Sequence, residues 1–431
     1  MPSTALRREI PVPSVAHLQS SAPTLPAGTV VLQAPPYFTS EEFETLFESI
    51  CNEEAPKQVL IDLSDVTFVL IETLMALIAV VAARQKRGAT TLLRLPRSPT
   101  EREFLRTWQF PLALQKTTGI RFIDFVVQQD HKYFRGLGGD QNVPKKYGYS
   151  KRYDIRGEHL LISLETRRFF AFRHWDAESY TGANDPYRFQ RAILDESERW
   201  SDESLIGALL RHHLGLVHGY VSSHIVHEAM SNAFRHGRAN SILAVSNAVR
   251  SADRDVFLTL VFWDDGTPGY QTLRTCLQSG GNILGSAFNM APELNYRAKI
   301  RLLEQDKEQM ISIRSSKTVP QNGAPDHELF LAMIYPGITS DPGGSTHVHH
   351  PRLNAEGKPE ALPGMGLANL VNGTVDVFGG TIAFRSGSYF MNVAPFTKSS
   401  AARYAVKIEQ RWFFPGNMIT VRIPLRKKTT L

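Results

Sequence analysis

Glu228, Asn232 and His236 stand four residues apart in the run His227-Glu228-Ala229-Met230-Ser231-Asn232-Ala233-Phe234-Arg235-His236-Gly237. On an α-helix, i, i+4, i+8 spacing puts three polar groups on one face, about one turn apart. The neighbouring stripe, Ile225, Ala229 and Ala233, is apolar or small and predicts the packed side. A carboxamide oxygen is a hard ligand suited to hydrated Mg²⁺. A carboxylate one turn away can orient or deprotonate a nucleophile. Taken alone, the same stripe also describes an amphipathic helix with a solvated face.

Two further segments follow. Leu258-Thr259-Leu260-Val261-Phe262-Trp263-Asp264-Asp265-Gly266 reads as a buried strand running into a tight acidic turn. A carboxylate there can accept a hydrogen bond from an amino group on a flat ring, and Gly266 lets such a ring approach the backbone. Gly364-Met365-Gly366-Leu367-Ala368-Asn369-Leu370 opens a helix whose inward positions are Leu367, Leu370, Val371, Thr374 and Phe378, and Gly379-Gly380 ends it. Bare N–H groups at a glycine-rich helix start can cradle phosphate.

In this order the three segments resemble the GHKL ATPases, and most closely the branch of anti-sigma-factor serine kinases. The resemblance covers the C-terminal part of the chain. It implies ATP and Mg²⁺ as cofactors, with Glu228 as general base and Asn232 as the Mg²⁺ ligand. By the same match, His236 and Gly237 close the helix beside the nucleotide, Asp264 with Gly266 reads adenine, and Gly364, Gly366 and Leu367 lie next to the phosphates. Gly416-Asn417-Met418-Ile419-Thr420-Val421-Arg422-Ile423-Pro424 resembles the closing strand. Two positions depart from the pattern. Pro268 stands where the first glycine box has its second glycine, with Gly269 just beyond, and Asn417 stands where a threonine hydroxyl helps to hold adenine. An amide can substitute for that hydroxyl.

The elements ahead of this region alternate simply. A strand is predicted over 29–33 and a helix over 40–54, with Thr39 and Glu42 as a capping box and Phe38 and Phe43 as a hydrophobic staple. Strands over 58–63 and 90–95 alternate with helices over 74–84 and 101–110, the pattern of a small α/β layer with a largely parallel sheet. Val59-Leu60-Ile61-Asp62-Leu63-Ser64-Asp65-Val66-Thr67-Phe68 and the helix after it resemble STAS domains of anti-sigma-factor antagonists. Active members carry a phosphorylated serine in the turn that corresponds to Leu70, Ile71, Glu72 and Thr73, and no serine is present here. Glu72 either mimics a standing negative charge or simply starts a helix at its favourable end. Thr73 is the remaining phosphoacceptor candidate.

The predicted organisation is therefore a flexible tail over 1–26, a STAS-like α/β layer domain over 27–127, a linker over 128–153 and a GHKL domain over 154–431. The last is expected to be a Bergerat-fold α/β sandwich, a mixed sheet with helices on one face, and to carry a long lid insertion about 270–363. Within the insertion a charged helix is expected over 293–310 and an apolar strand over 329–335. Arg352 and Lys358 are candidates to reach a γ-phosphate. His347, His349 and His350 lie in a Gly- and Pro-rich stretch without a second ligand cluster. Arg135-Gly136-Leu137-Gly138-Gly139 and the basic, aromatic run 145–153 read as linker rather than as a phosphate loop or a strand-binding patch.

Composition narrows the classes. The chain has 431 residues, 42% of them hydrophobic, so two or three packed domains are expected. Two distant cysteines, Cys51 and Cys276, point away from a disulfide framework and towards the cytoplasm. The net charge of +6 suits an anionic nucleotide or an acidic protein and is too diffuse to argue for nucleic acid. The apolar stretch 66–83 is interrupted by Glu72 and divides into a strand end and a buried helix, so no membrane is expected. The expected function is a serine/threonine protein kinase or ATPase in bacterial partner-switching, acting on a regulatory protein partner. The alternatives are an ATP-gated interaction module with little turnover and an ATP-driven dimer clamp, so homodimer formation stays open.

Overall fold

The computed structural model describes residues 25–51, 55–134, 173–176, 192–193, 195–196, 214, 219, 221–250, 256–284, 295–302, 307–314, 319–335, 337–339, 366–396 and 404–425. The N-terminal layer runs β1 (Val30–Gln33), β2 (Tyr37–Phe38), α1 (Ser40–Cys51), β3 (Gln58–Asp62), β4 (Phe68–Val69), α2 (Ile71–Lys86) and β5 (Thr90–Arg94). Three short helices follow: α3 (Pro99–Thr107), α4 (Phe110–Thr118) and α5 (Phe122–Phe125). Its three-stranded sheet is parallel, in the order β1-β3-β5. The Glu42 carboxylate accepts from both the backbone N–H and the hydroxyl of Thr39, which makes the Glu42 half of the predicted capping box, with the hydroxyl donating to the carboxylate. The helix predicted over 101–110 is instead two, because Gln109 takes a left-handed φ of 56° between α3 and α4.

The C-terminal part is built on a seven-stranded mixed sheet with the main order β10-β9-β12-β8-β7-β6, where β11 pairs with β12. The strands are β6 (Arg173–Asp176), β7 (Ser241–Arg250), β8 (Val256–Asp264), β9 (Asn295–Leu302), β10 (Lys307–Arg314), β11 (Thr381–Pro395) and β12 (Tyr404–Leu425). Parallel pairing occurs between β12 and β9, and the other pairs are antiparallel. Val221–Val226, His227–Ser231 and Asn232–His236 run on as one helix, α6, in which the first and last parts are π-helical. Helix α7 is Gly269–Gln278, α8 is Asp326–Ala332, and α9 joins Gly366–Val371 to the π-helical Asn372–Val377.

Two expectations inside the insertion are overturned. The charged helix over 293–310 is an antiparallel hairpin of β9 and β10. In Asn295–Leu302 polar and apolar residues alternate strictly, and that period of two outweighs the charge that suggested a helical surface. The apolar strand over 329–335 is α8, with Asp326 and Glu328 in its first turn and Leu329, Phe330, Leu331 and Ala332 all buried. A short continuous apolar run has no period of its own, so its neighbours decide between strand and helix.

Thirteen of the sixteen residues of α2 are buried. A helix apolar on every side must be covered on every side. One side of α2 meets β5, and another meets β7, β8 and β12 of the larger sheet. Arg422 of β12 reaches across to Glu72 at 2.7 Å. The larger sheet thus has α2 against one face, a layer that an isolated sandwich with helices on one face would lack. Each Leu, Ile or Val buried in such a seam contributes about 1.5–3 kcal/mol. Among the described residues no helix is long and apolar enough to cross a membrane.

Candidate functional site

Strand alternation sorts the two faces. Residues directly opposite each other in paired strands share a face. Ile242, Asp264, Asn417 and Ser386 form one row across β7, β8, β12 and β11. One residue along, Leu243, Trp263, Met418 and Arg385 form a row on the opposite face. The Asp264 row looks towards the end of α6, where Gly237 accepts a hydrogen bond from Thr267 N at 2.7 Å.

Along α6, Ile225, Ala229 and Ala233 are buried, as their stripe predicts. Glu228, Asn232 and His236 line one cavity together with Asp264, Gly366 and Leu367. The π-helical last turns, with Gly237 N bonded to Asn232 O at 3.0 Å, widen the helix where it meets the cavity. Asn232 spends its amide N–H on the Glu228 carbonyl at 2.7 Å, and its Oδ1 has no hydrogen bond among the described residues. A side chain on Gly366 would put its first carbon 2.9 Å from Glu228 Oε2 and 3.0 Å from Asn232 Oδ1. Only glycine lets α9 come this close to α6.

Asp264 is 7% exposed. Its Oδ1 accepts from Gly266 N at 2.9 Å and from Asn417 Nδ2 at 2.8 Å. Asn417 Oδ1 accepts in turn from the Ser386 hydroxyl at 2.6 Å, and Ser386 Oγ accepts from Gly269 N at 3.2 Å. The backbone N–H of Gly269 sets the direction of this chain, so Asn417 must present its NH₂ to Asp264. Gly266 sits behind Asp264 rather than on the cavity wall: a first side-chain carbon there would meet Gly237 O and lie 2.8 Å from Asp264 Oδ1. The turn at Pro268 forms and leads directly into α7 at Gly269.

Burial pushes Glu228 up from its ordinary 4.5 to about 7, opposed by the Asn369 hydrogen bond and the charge of Arg235. Burial likewise pushes Asp264 up from 3.8 to about 7, against the bonds from Asn417 and Gly266 and with the neighbouring charge of Asp265 adding to the rise. Two carboxyls poised near neutrality on one cavity are suited to proton transfer and to recognition of a polar ring.

The sequence reading did not single out Asn369, Ser386, Arg235 or His227 as site residues, yet the last three line the cavity and Asn369 bonds Glu228. Arg235 and His227 lie in the run already quoted, so their helix was the available signal. Ser386 joins through cross-strand register alone. Gly364, Arg352, Lys358 and the three histidines fall outside the described residues. Among the described residues no three His, Cys, Asp or Glu side chains gather as a metal site, and Asn232, whose Oδ1 is a hard oxygen, lines the cavity beside Glu228. Thr73 is 1% exposed, under the seam between the two layers, and Glu72 is held by Arg422. No family model, no curated protein and no solved structure matches this chain.

Proposed function

We propose that the cavity binds ATP with Mg²⁺ and that the chain is a phosphotransferase or ATPase of the GHKL type, with a Bergerat-like C-terminal part and a STAS-like N-terminal layer. The observation that carries this reading is the convergence of Glu228, Asn232 and Asp264 on one cavity, with Gly366 packed against the first two. The residues suit the ligand. Asp264 accepts an amino group of the base through the oxygen not engaged by Gly266 and Asn417. Asn232 would hold the cation through Oδ1, and Gly366 would bring the start of α9 close beside it. Bound ATP supplies the transferable phosphoryl group, and Mg²⁺ the positive charge that offsets it.

Glu228 takes the proton of the attacking hydroxyl, of a protein side chain or of water. Its elevated proton affinity matches that task near neutral pH. A regulatory protein partner of bacterial signalling is the reading's substrate class. The test is calorimetry with ATP and Mg²⁺ alongside turnover for three proteins. Wild type binds and turns over, Glu228→Gln binds without turnover, and Asp264→Asn does not bind. ATP uptake by Asp264→Asn as strong as wild type would overturn the reading. Binding by wild type and Glu228→Gln with no turnover in either would select an ATP-gated interaction module instead.

A further inference from the structure

Gly269 opens α7 at the edge of the cavity, tied to Asp264 through three hydrogen bonds: its N–H donates to Ser386, Ser386 to Asn417, and Asn417 to Asp264. Gly269 has no side chain, and Met333, the C-cap of α8, fills the space where one would stand. A first side-chain carbon on Gly269 would collide with the Met333 methyl group and lie 3.0 Å from its sulfur. Met333 and Gly269 line the same cavity as Asp264 and Asn417. The wall beside the Asp264 hydrogen-bond chain therefore comes from a helix of the insertion. That helix is fastened where it lies. Phe330, fully buried, meets Tyr270 of α7 edge-on at a centroid separation of 6.2 Å and Tyr389 of β11 at 5.7 Å. Asp326 at the start of α8 accepts from Arg274 Nε of α7 at 2.7 Å. Phe330 and Met333 are three residues apart and share a helix face, so the ring pins α8 while the thioether reaches Gly269. Leu273, one turn beyond Gly269 on α7, is buried and continues the wall as an apolar surface.

We infer that Met333 is a specificity-determining residue: it stops the cavity at the base and restricts it to purines whose 6-amino group carries no substituent. The inference rests on the proposed reading of Asp264 as the acceptor for that amino group. A 6-amino group has two N–H bonds, and Asp264 takes one. A single substituent on the nitrogen leaves that bond intact and adds volume where the thioether already stands. A thioether gives a flat ring a soft apolar contact without a hydrogen-bonding demand, which suits a wall rather than a reader of polar groups. Methionine is pliable, but here the Gly269 backbone closes one flank and Phe330 anchors the helix that carries it. Making room for a larger base would therefore displace packed groups.

The experiment uses the full chain with Mg²⁺ and two nucleotides, ATP and N⁶-propyl-ATP, and reads both dissociation constants by calorimetry. Wild type should bind N⁶-propyl-ATP about tenfold more weakly than ATP, the scale of a small overpacking in a closed pocket. Met333→Ala removes as many heavy atoms as the propyl chain adds, and should bring the two constants within about twofold of each other. Met333→Leu, close to methionine in volume, should keep the wild-type preference. The ratio is the readout because a loosened fold would weaken both nucleotides alike. Should Met333→Ala fail to fold, Met333→Val also shortens the side chain and should move the ratio in the same direction by less. An unchanged ratio in the shortened variant, with ATP still bound by wild type, would overturn the inference and leave the nucleotide reading standing. Wild type that takes up N⁶-propyl-ATP as tightly as ATP would do the same. Binding of neither nucleotide by wild type would overturn the nucleotide reading, and this inference with it.

Discussion

On one face of the seven-stranded sheet, Arg385 and Arg422 each meet a carboxylate of the N-terminal layer, while on the other Glu228 and Asp264 face a cavity and are held mainly by amides. Arg385 is 2% exposed and bonds Glu44 at 3.3 Å, and Arg411 meets the same carboxylate at 2.9 Å. Adjacent aspartates divide in the same way. Asp265 pairs with Lys86 of α2 at 2.6 Å and accepts from Asn240 N and Ser241 N. Among the described residues Asp264 has no cation bonded to it, and burial pushes it up to about 7. The lesson is that burial alone does not mark a working carboxylate. A buried charge with an opposite charge beside it holds layers together, whereas one that burial leaves strained towards neutrality beside open space is poised for chemistry.

The largest expected effect lies on the paired face. Arg385→Ala leaves Glu44 without one partner and opens a void beneath Trp412, and unfolding in urea should show a loss of about 3–5 kcal/mol. Removal of Arg385 without any shift in the unfolding midpoint would break the contrast between faces.

A pH effect comes next, and it belongs to the cavity face. Folding raises Glu228 from 4.5 and Asp264 from 3.8, both to about 7. Between those limits the folded chain binds more protons than the unfolded one, so these two groups make stability fall as pH rises through the window. Ligand-free protein should lose about 2 kcal/mol between pH 5 and 8 from this source, less than full burial implies because both groups line a cavity. The double variant Glu228→Gln, Asp264→Asn should flatten the profile, and an equally steep profile in that variant would assign the slope elsewhere.

Gly366→Ala sharpens the comparison by touching geometry without charge. Its new methyl group would crowd Glu228 and Asn232, so turnover and Mg²⁺-dependent ATP binding should drop about tenfold, with little change in stability. Equal activity would mean that α9 can retreat from α6 at no cost.

The smallest effect is expected at Lys86→Ala. Lys86 is 56% exposed in its pair with Asp265, so its loss should cost at most about 1 kcal/mol and leave ATP binding unchanged. A larger loss of binding would tie the seam between the layers to the cavity.

Local chemistry was legible wherever neighbours in sequence are neighbours in space. The pairing of Glu42 with Thr39, the packed stripe Ile225-Ala229-Ala233 and the helix end at Gly379 follow from spacing within a turn or two. The β9–β10 hairpin departs from the expected helix because alternation outweighs charge, and α8 from the expected strand because an apolar run has no period of its own. Asn417 was visible as a departure from the pattern it resembles, but its job was not. That job depends on Ser386, thirty-one residues away in sequence and one strand away in the sheet.

Sequence by itself determined which residue types could act and which helical faces they share, since side-chain identity and the helical repeat are local properties. It also determined that α2 needed cover on all sides. Only the tertiary structure decided what provides that cover, which of two adjacent aspartates faces a cation and which a cavity, and that an amide on α9 reaches Glu228 on α6. Those outcomes depend on strand register and on the close approach of helices far apart in the chain, and desolvation, which sets the proton affinity of both carboxyls, exists only after the layers have closed around them.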